Sequence, residues 1–175
     1  METKIRIRKV TSEQDQVELY EKRLTMYQQS PMFWNNLTDV YNQTISYKNT
    51  HIIHFNGQWA GMGSWELKSG KIYISEIIIA HHFLNNGLGS KLMKRILLDT
   101  QKQGKKTVYC EVPPSLIRFF RSVGFRYYGE MVLKNEKRLL LMVYTQRINQ
   151  KNTGEHKDIR KINLNNKIVP YLATS

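Results

Sequence analysis

Along residues 4–10, KIRIRKV, isoleucine alternates with basic side chains, the period of a strand buried on one face. Thr11 and Ser12 then stand as N-cap candidates ahead of acidic residues. A helix is predicted from there to about Gln28, with Val17, Leu19, Tyr20, Leu24 and Tyr27 on its inner face. Ser30-Pro31 is a second helix-start signal, and the aromatic-rich MFWNNLTDVYNQTISY after it reads as helix or loop. HIIHF, Asn56-Gly57 and QWAGMGSWEL read as a hairpin, and Ser69-Gly70 turns the chain into KIYISEIIIA. From Leu88 to Gln103 the apolar positions Leu88, Leu92, Met93, Ile96 and Leu97 recur at spacings of three and four, an amphipathic helix that Gly104 ends. KTVYCEV is a strand; Pro113-Pro114 then breaks pairing and Ser115 caps a short helix, SLIRFFRSV, closed by Gly124. FRYYGEMVL and RLLLMVY finish as a hairpin.

The order β-α-(α)-β-β-β-α-β-α-β-β predicts an α/β fold. Runs of adjacent strands imply antiparallel pairing and the strand-helix-strand step implies one parallel neighbour, so the sheet is mixed and mostly antiparallel, with helices on both faces. One domain is expected over residues 1–145. Residues 146–175 turn polar and basic and read as a C-terminal extension, in which Pro170 argues against a central strand.

A hydrophobic fraction of 41% and a charged fraction of 23% suit a globular protein of 175 residues. No apolar run approaches the roughly 20 residues that span a bilayer, so no membrane partner is expected. METKIRIRKV lacks the apolar core of a signal peptide, and the lone Cys110 allows no internal disulfide. A cytoplasmic location is the expectation. The net charge of +13 is unusual: the extension holds six basic and two acidic residues, which leaves +9 on the first 145. Such a surface attracts anions, among them nucleic acid, acidic substrates and polyphosphate cofactors.

The seam HHFLNNGLGSKLM joins a strand to a helix with Gly87 and Gly89 two residues apart. Glycine allows positive φ and close approach of a ligand or a second backbone. A helix start also presents unpaired N–H groups at the positive end of its dipole, where a phosphate sits naturally. Lys91, in the first turn, adds a cation, and His81 and His82 flank the loop. A Walker loop needs Gly-Lys-Ser/Thr, but Lys91 here follows Ser90. A dinucleotide fingerprint needs a small residue where Leu92 stands, and Asp99 comes too early for its acidic partner. The spacing of His51 and His54 to these histidines indicates no metal site.

The succession of strand, IIIAHHFLNNGLGSKLM, helix, strand and SLIRFFRSVGF resembles the Gcn5-related N-acetyltransferases over residues 4 to about 145. The resemblance implies acetyl-CoA as donor and a primary amine of a small molecule or a peptide as acceptor. It implies a cofactor site built from Leu84, Asn85, Asn86, Gly87, Leu88, Gly89 and Ser90 at the loop, Ile77, Ile78 and Ile79 along the pantetheine, and Phe120 on the last helix. A backbone N–H near Ile77 to Ile79 would polarise the thioester carbonyl. Glu76 is the implied catalytic base, with Glu66 and Glu111 in reserve, and Phe33 and Trp34 lie where the family builds its acceptor cleft. A homodimer is among the assemblies the resemblance allows.

Three positions depart from the pattern. Leu84 replaces Arg or Gln, Pro113 replaces Asn, and Phe120 replaces a tyrosine credited with protonating the leaving thiolate. Phenylalanine cannot donate that proton. Tyr109, Tyr127, Tyr128 and Cys110 are the substitutes on offer. The departures leave a rival reading open, a non-catalytic acyl-CoA-binding module. A second rival, nucleic-acid binding, is disfavoured because the aromatic residues are not interleaved with Lys and Arg.

Overall fold

Ser12 opens the first helix with a reciprocal cap. Its hydroxyl accepts the Asp15 N–H at 3.1 Å, while the Asp15 carboxylate accepts the Thr11 and Ser12 N–H groups at 3.2 and 3.4 Å. Asp15 also pairs with Arg8 on the preceding strand, which ties helix to sheet. The computed structural model describes residues 3–29, 47–132 and 138–146.

Among these residues the elements are β1 (Ile5–Lys9), α1 (Glu13–Gln29), β2 (Thr50–Phe55), β3 (Gln58–Lys68), β4 (Lys71–Ile79), α2 (Leu88–Gln101), β5 (Thr107–Val112), α3 (Ile117–Ser122), β6 (Arg126–Val132) and β7 (Arg138–Thr145). They form a seven-stranded sheet in the order β1-β2-β3-β4-β5-β7-β6. Every neighbouring pair is antiparallel except β4 and β5. The mixed, mostly antiparallel α/β sheet read from the sequence is therefore present, with helices on both faces.

The face under α2 and α3 holds the larger core. Leu88, Leu92, Met93, Ile96 and Leu97 of α2, all expected on its inner face, are buried with Ile72, Ile74, Val108, Cys110, Phe120 and Phe125. Burial of each large side chain contributes about 1.5–3 kcal/mol. On the opposite face, Leu19 of α1 packs with Val10, Ile52 and Met62. The inner face of α1 differs from the expectation: Val17 and Tyr20 are 61% and 45% exposed, and Arg23 is buried instead. The physical reason lies across the interface, where β4 offers Arg23 a carboxylate.

Gln146, the first residue assigned to the C-terminal extension, is buried; its backbone N–H donates to the Lys106 carbonyl and its side chain to Thr100 Oγ1, each at 2.8 Å. Residues 147–175 lie outside the described residues.

Candidate active site

Pairing between β4 and β5 stops early. The ladder runs Ile72 with Val108, Tyr73 with Tyr109 and Ile74 with Cys110, and then ends. β5 continues through Glu111 and Val112 bonded to β7 alone, and β4 continues through Ser75 to Ile79 bonded to β3 alone. A gap thus opens between two central strands, and alternate N–H and C=O groups of residues 75–79 face it with no strand opposite.

A bulge sits where the gap begins. Ser64 of β3 pairs with Glu76, but the next residue, Trp65, pairs with Ile74, so Ser75 is the extra residue. One extra residue reverses which face later side chains occupy. Ile72 and Ile74 point toward α2, and continued alternation would send Glu76 there too. Instead Glu76 turns to the α1 face, where its Oε1 accepts a hydrogen bond from Arg23 Nε at 2.9 Å. Both side chains are 5% exposed, so this is a buried ion pair clamping α1 to the bulge. Ser64 and Ser75 share a hydroxyl–hydroxyl hydrogen bond of 2.9 Å beside it. The reserves Glu66 and Glu111 occupy this same sheet face, half-buried and exposed respectively.

At the far end of β4 the chain turns through His81–Phe83 into the loop ahead of α2. Gly87 is the N-cap, with φ of 69°, a left-handed conformation that costs other residues about 1–2 kcal/mol. No side chain caps this helix, and the first intrahelical bond is from the Lys91 N–H to the Gly87 carbonyl. The Leu88, Gly89 and Ser90 N–H groups are left as donors. Gly89 answers a different need: a Cβ there would lie 3.2 Å from the ring of Phe119 on α3. The two glycines thus serve separate ends, one a left-handed backbone and the other the close approach of Phe119. Asn86 shapes the loop, its side-chain amide donating to the Phe83 and Leu84 carbonyls at 3.2 and 3.1 Å. Asn85 is itself left-handed at φ 64°, and Leu84 is exposed. Ile77, Ile78 and Ile79 are half-buried along the gap.

The loop and the end of β4 lie side by side, a Cβ at Gly89 falling 3.7 Å from Ile79 Cγ1. Phe120 does not join them by its side chain: it is 1% exposed, edge-on to Phe119 and Phe125 at 5.1 and 5.3 Å. Its neighbour Phe119 is the ring against the helix start. Phe33 and Trp34 lie outside the described residues. Of the substitutes for the absent tyrosine, Cys110 turns into the core with its sulfur 3.8 Å from the Ile74 carbonyl, and burial pushes its thiol pKa up. Tyr127 and Tyr128 are on the edge strand β6, beyond β5 and β7. Tyr109 stacks on Tyr73 with centroids 5.4 Å apart, one pair before the gap. Burial, then the Glu111 charge, raises the Tyr73 phenol, which therefore keeps its proton at neutral pH.

Arg23 was absent from the residues singled out in the sequence. Its signal is the spacing of four from Leu19, which puts a cation on the apolar stripe of α1. The bulge also leaves a trace, because the adjacent polar residues Ser75 and Glu76 interrupt an alternating run. No group of His, Cys, Asp and Glu that could hold a metal occurs among the described residues. No helix described is long and apolar enough to cross a membrane.

The model of the acetyltransferase (GNAT) domain family matches residues 25–146. Among solved structures, Ard1 from Thermoplasma volcanium is similar at 18% identity and a TM-score of 0.65, over 81% of this chain and 97% of that one. The ribosomal-protein-S18-alanine N-acetyltransferase from Escherichia coli is similar at 18% identity and 0.64, over 86% and 99%. N-acetylglutamate synthase from Neisseria gonorrhoeae, complexed with coenzyme A and N-acetyl-glutamate, is similar at 13% identity and 0.64; the match covers 85% of this chain but 36% of that one. Among curated proteins no sequence matches. The parted strands, the glycine loop and the family match agree, and the chain belongs to the GNAT acetyltransferase family.

Proposed function

We propose that the protein moves an acetyl group from acetyl-CoA to a primary amine of a small molecule or a protein, with residues 1–145 as the catalytic domain and 146–175 as an extension of it. The observation that carries this reading is the parting of β4 from β5 after Ile74 and Cys110, next to the uncapped start of α2. The residues suit the donor: the N–H groups of Leu88, Gly89 and Ser90 would hold its pyrophosphate, and the free edge of Ile77 to Ile79 its amide-bearing arm. When bound, acetyl-CoA supplies an acyl carbon already activated as a thioester.

The chain's own part is positioning and proton handling. A β4 N–H facing the gap polarises the acyl oxygen, the role of an oxyanion donor. Glu76, fixed by Arg23 at the bulge, accepts the proton of the attacking ammonium directly or through water. Phe120 can supply no proton to the leaving sulfur. Tyr73 and Tyr109 are the phenols nearest the gap along the strands, and solvent is the other source.

The test is turnover. The protein is incubated with acetyl-CoA and a panel of primary amines, with thiol release followed by absorbance and acetylated product by mass spectrometry. Acetylated amine above the no-enzyme rate is expected, and Glu76→Gln should lower kcat by about 10²–10⁴-fold with CoA affinity kept. Phe120 favours one second reading, a non-catalytic acyl-CoA-binding module; it predicts CoA binding with no acetylated product from any amine.

A further inference from the structure

The charges around the gap are divided. Residues 77–98 and 112–129, which make the end of β4, the loop, most of α2, and α3 with its flanks, contain six Lys or Arg and no Asp or Glu. Lys91, Lys94 and Arg95 are exposed on the first turns of α2, and Arg118 and Arg121 are exposed on α3. Phe119 lies against Gly89, so both sets border the same helix start. The carboxylates Glu66, Glu76 and Glu111 belong to the opposite face of the sheet.

Ion pairing sharpens the division. Arg8, Lys9, Arg23, Lys102 and Arg138 each have a carboxylate within 4.0 Å. Among the described residues no such pair is formed by Lys91, Lys94, Arg95, Arg118 or Arg121. Asp99, the one acid of α2, is turned inward to Lys9 and Trp65 and is shared with Lys102. Among the described residues the collar is therefore of one sign, and none of its five cations is paired with a carboxylate. Clustered charge of this kind raises a local potential of several kT and accelerates capture of an opposite charge by about 10–10³-fold at low salt.

We propose that this collar, formed by Lys91, Lys94, Arg95, Arg118 and Arg121, captures coenzyme A by long-range attraction before the loop engages it. The inference rests on the cofactor reading above and adds a rate to it. A polyanion with more phosphate charge is drawn faster, so CoA associates faster than dephospho-CoA. The collar acts on approach and leaves dissociation unchanged. If the cations only solvate the surface, association is indifferent to salt and to their removal.

The experiment is stopped-flow association of the full chain with CoA and with dephospho-CoA, read by competition with CoA labelled through its thiol. Between about 20 and 300 mM salt, kon for CoA should fall by roughly tenfold, and less for dephospho-CoA. The double variant Lys94→Glu with Arg95→Glu, at solvent-facing positions, should lower kon by about tenfold at low salt with koff within about twofold. The double variant Lys22→Glu with Lys68→Glu, at exposed positions on α1 and at the β3–β4 turn, should leave kon within about twofold and so control for an equal change of net charge. A flat salt dependence with binding intact overturns the collar alone, as does an effect of the double variant confined to koff. No CoA binding by the unaltered protein overturns the cofactor reading and the collar with it.

Discussion

The two sides of the gap are built by different means. On the α2 side the backbone makes the site: Gly87 takes a left-handed turn, Gly89 lets Phe119 approach, and the first amide N–H groups of the helix have no side-chain cap. On the α1 side stands a side-chain pair, Arg23 with Glu76, brought together because Ser75 is an extra residue in β4. A site made of backbone should tolerate changes of side chain, so Leu84 in place of the family's Arg or Gln should cost little. The side-chain site should tolerate few, because each partner is buried and depends on the other.

The largest expected effect breaks the α1 side. Arg23→Met should cost about 3–5 kcal/mol in urea unfolding, since it removes the cation paired with a buried carboxylate. Pairing it with Glu76→Leu should recover much of that loss, because the desolvation cost of both charges goes too. If the single and double variants unfold alike, the pair is not the clamp described. On the other side, Gly89→Asp should weaken CoA binding by about 100-fold in calorimetry with the fold retained, by placing a carboxylate among the amide donors.

A third prediction concerns His51, buried in β2 beneath α2. Burial holds its pKa down to about 4, against a counter-pull from Asp99. The unfolded chain therefore takes up this proton first as pH falls. The contribution of neutral His51 is complete above about pH 6.5 and is lost progressively down to about pH 4, on the order of 2 kcal/mol. His51→Gln should flatten that window in denaturant titrations across pH; an unchanged slope would remove the histidine from the account. The smallest effect is expected at Gly87→Ala, about 1–2 kcal/mol from its positive φ. A modest loss of CoA affinity should accompany it, since nothing within 4 Å opposes the added methyl.

The same contrast explains how much could be read from the chain. The individual strands, the amphipathic α2 and the glycine-bearing seam are local patterns, and each is legible because one segment carries its whole signal. The inner face of α1 was misread because Val17 and Tyr20 have the right spacing and polarity, whereas the partner that draws Arg23 inward is 53 residues away. The turning of Glu76 depends on a register shift against β3, which no single strand reveals. Which of the two adjacent phenylalanines, Phe119 or Phe120, meets the loop depends on how α3 lies on α2, which neither segment reveals alone.

The measurement that tests the central claim most directly is calorimetric titration of the protein and its Gly89→Asp variant with CoA. Roughly micromolar binding by the first and a loss of about 100-fold in the folded second is the predicted result. Equal affinity in both, or none in the unaltered protein, would contradict the assignment of the gap and its glycine loop as the acetyl-CoA site.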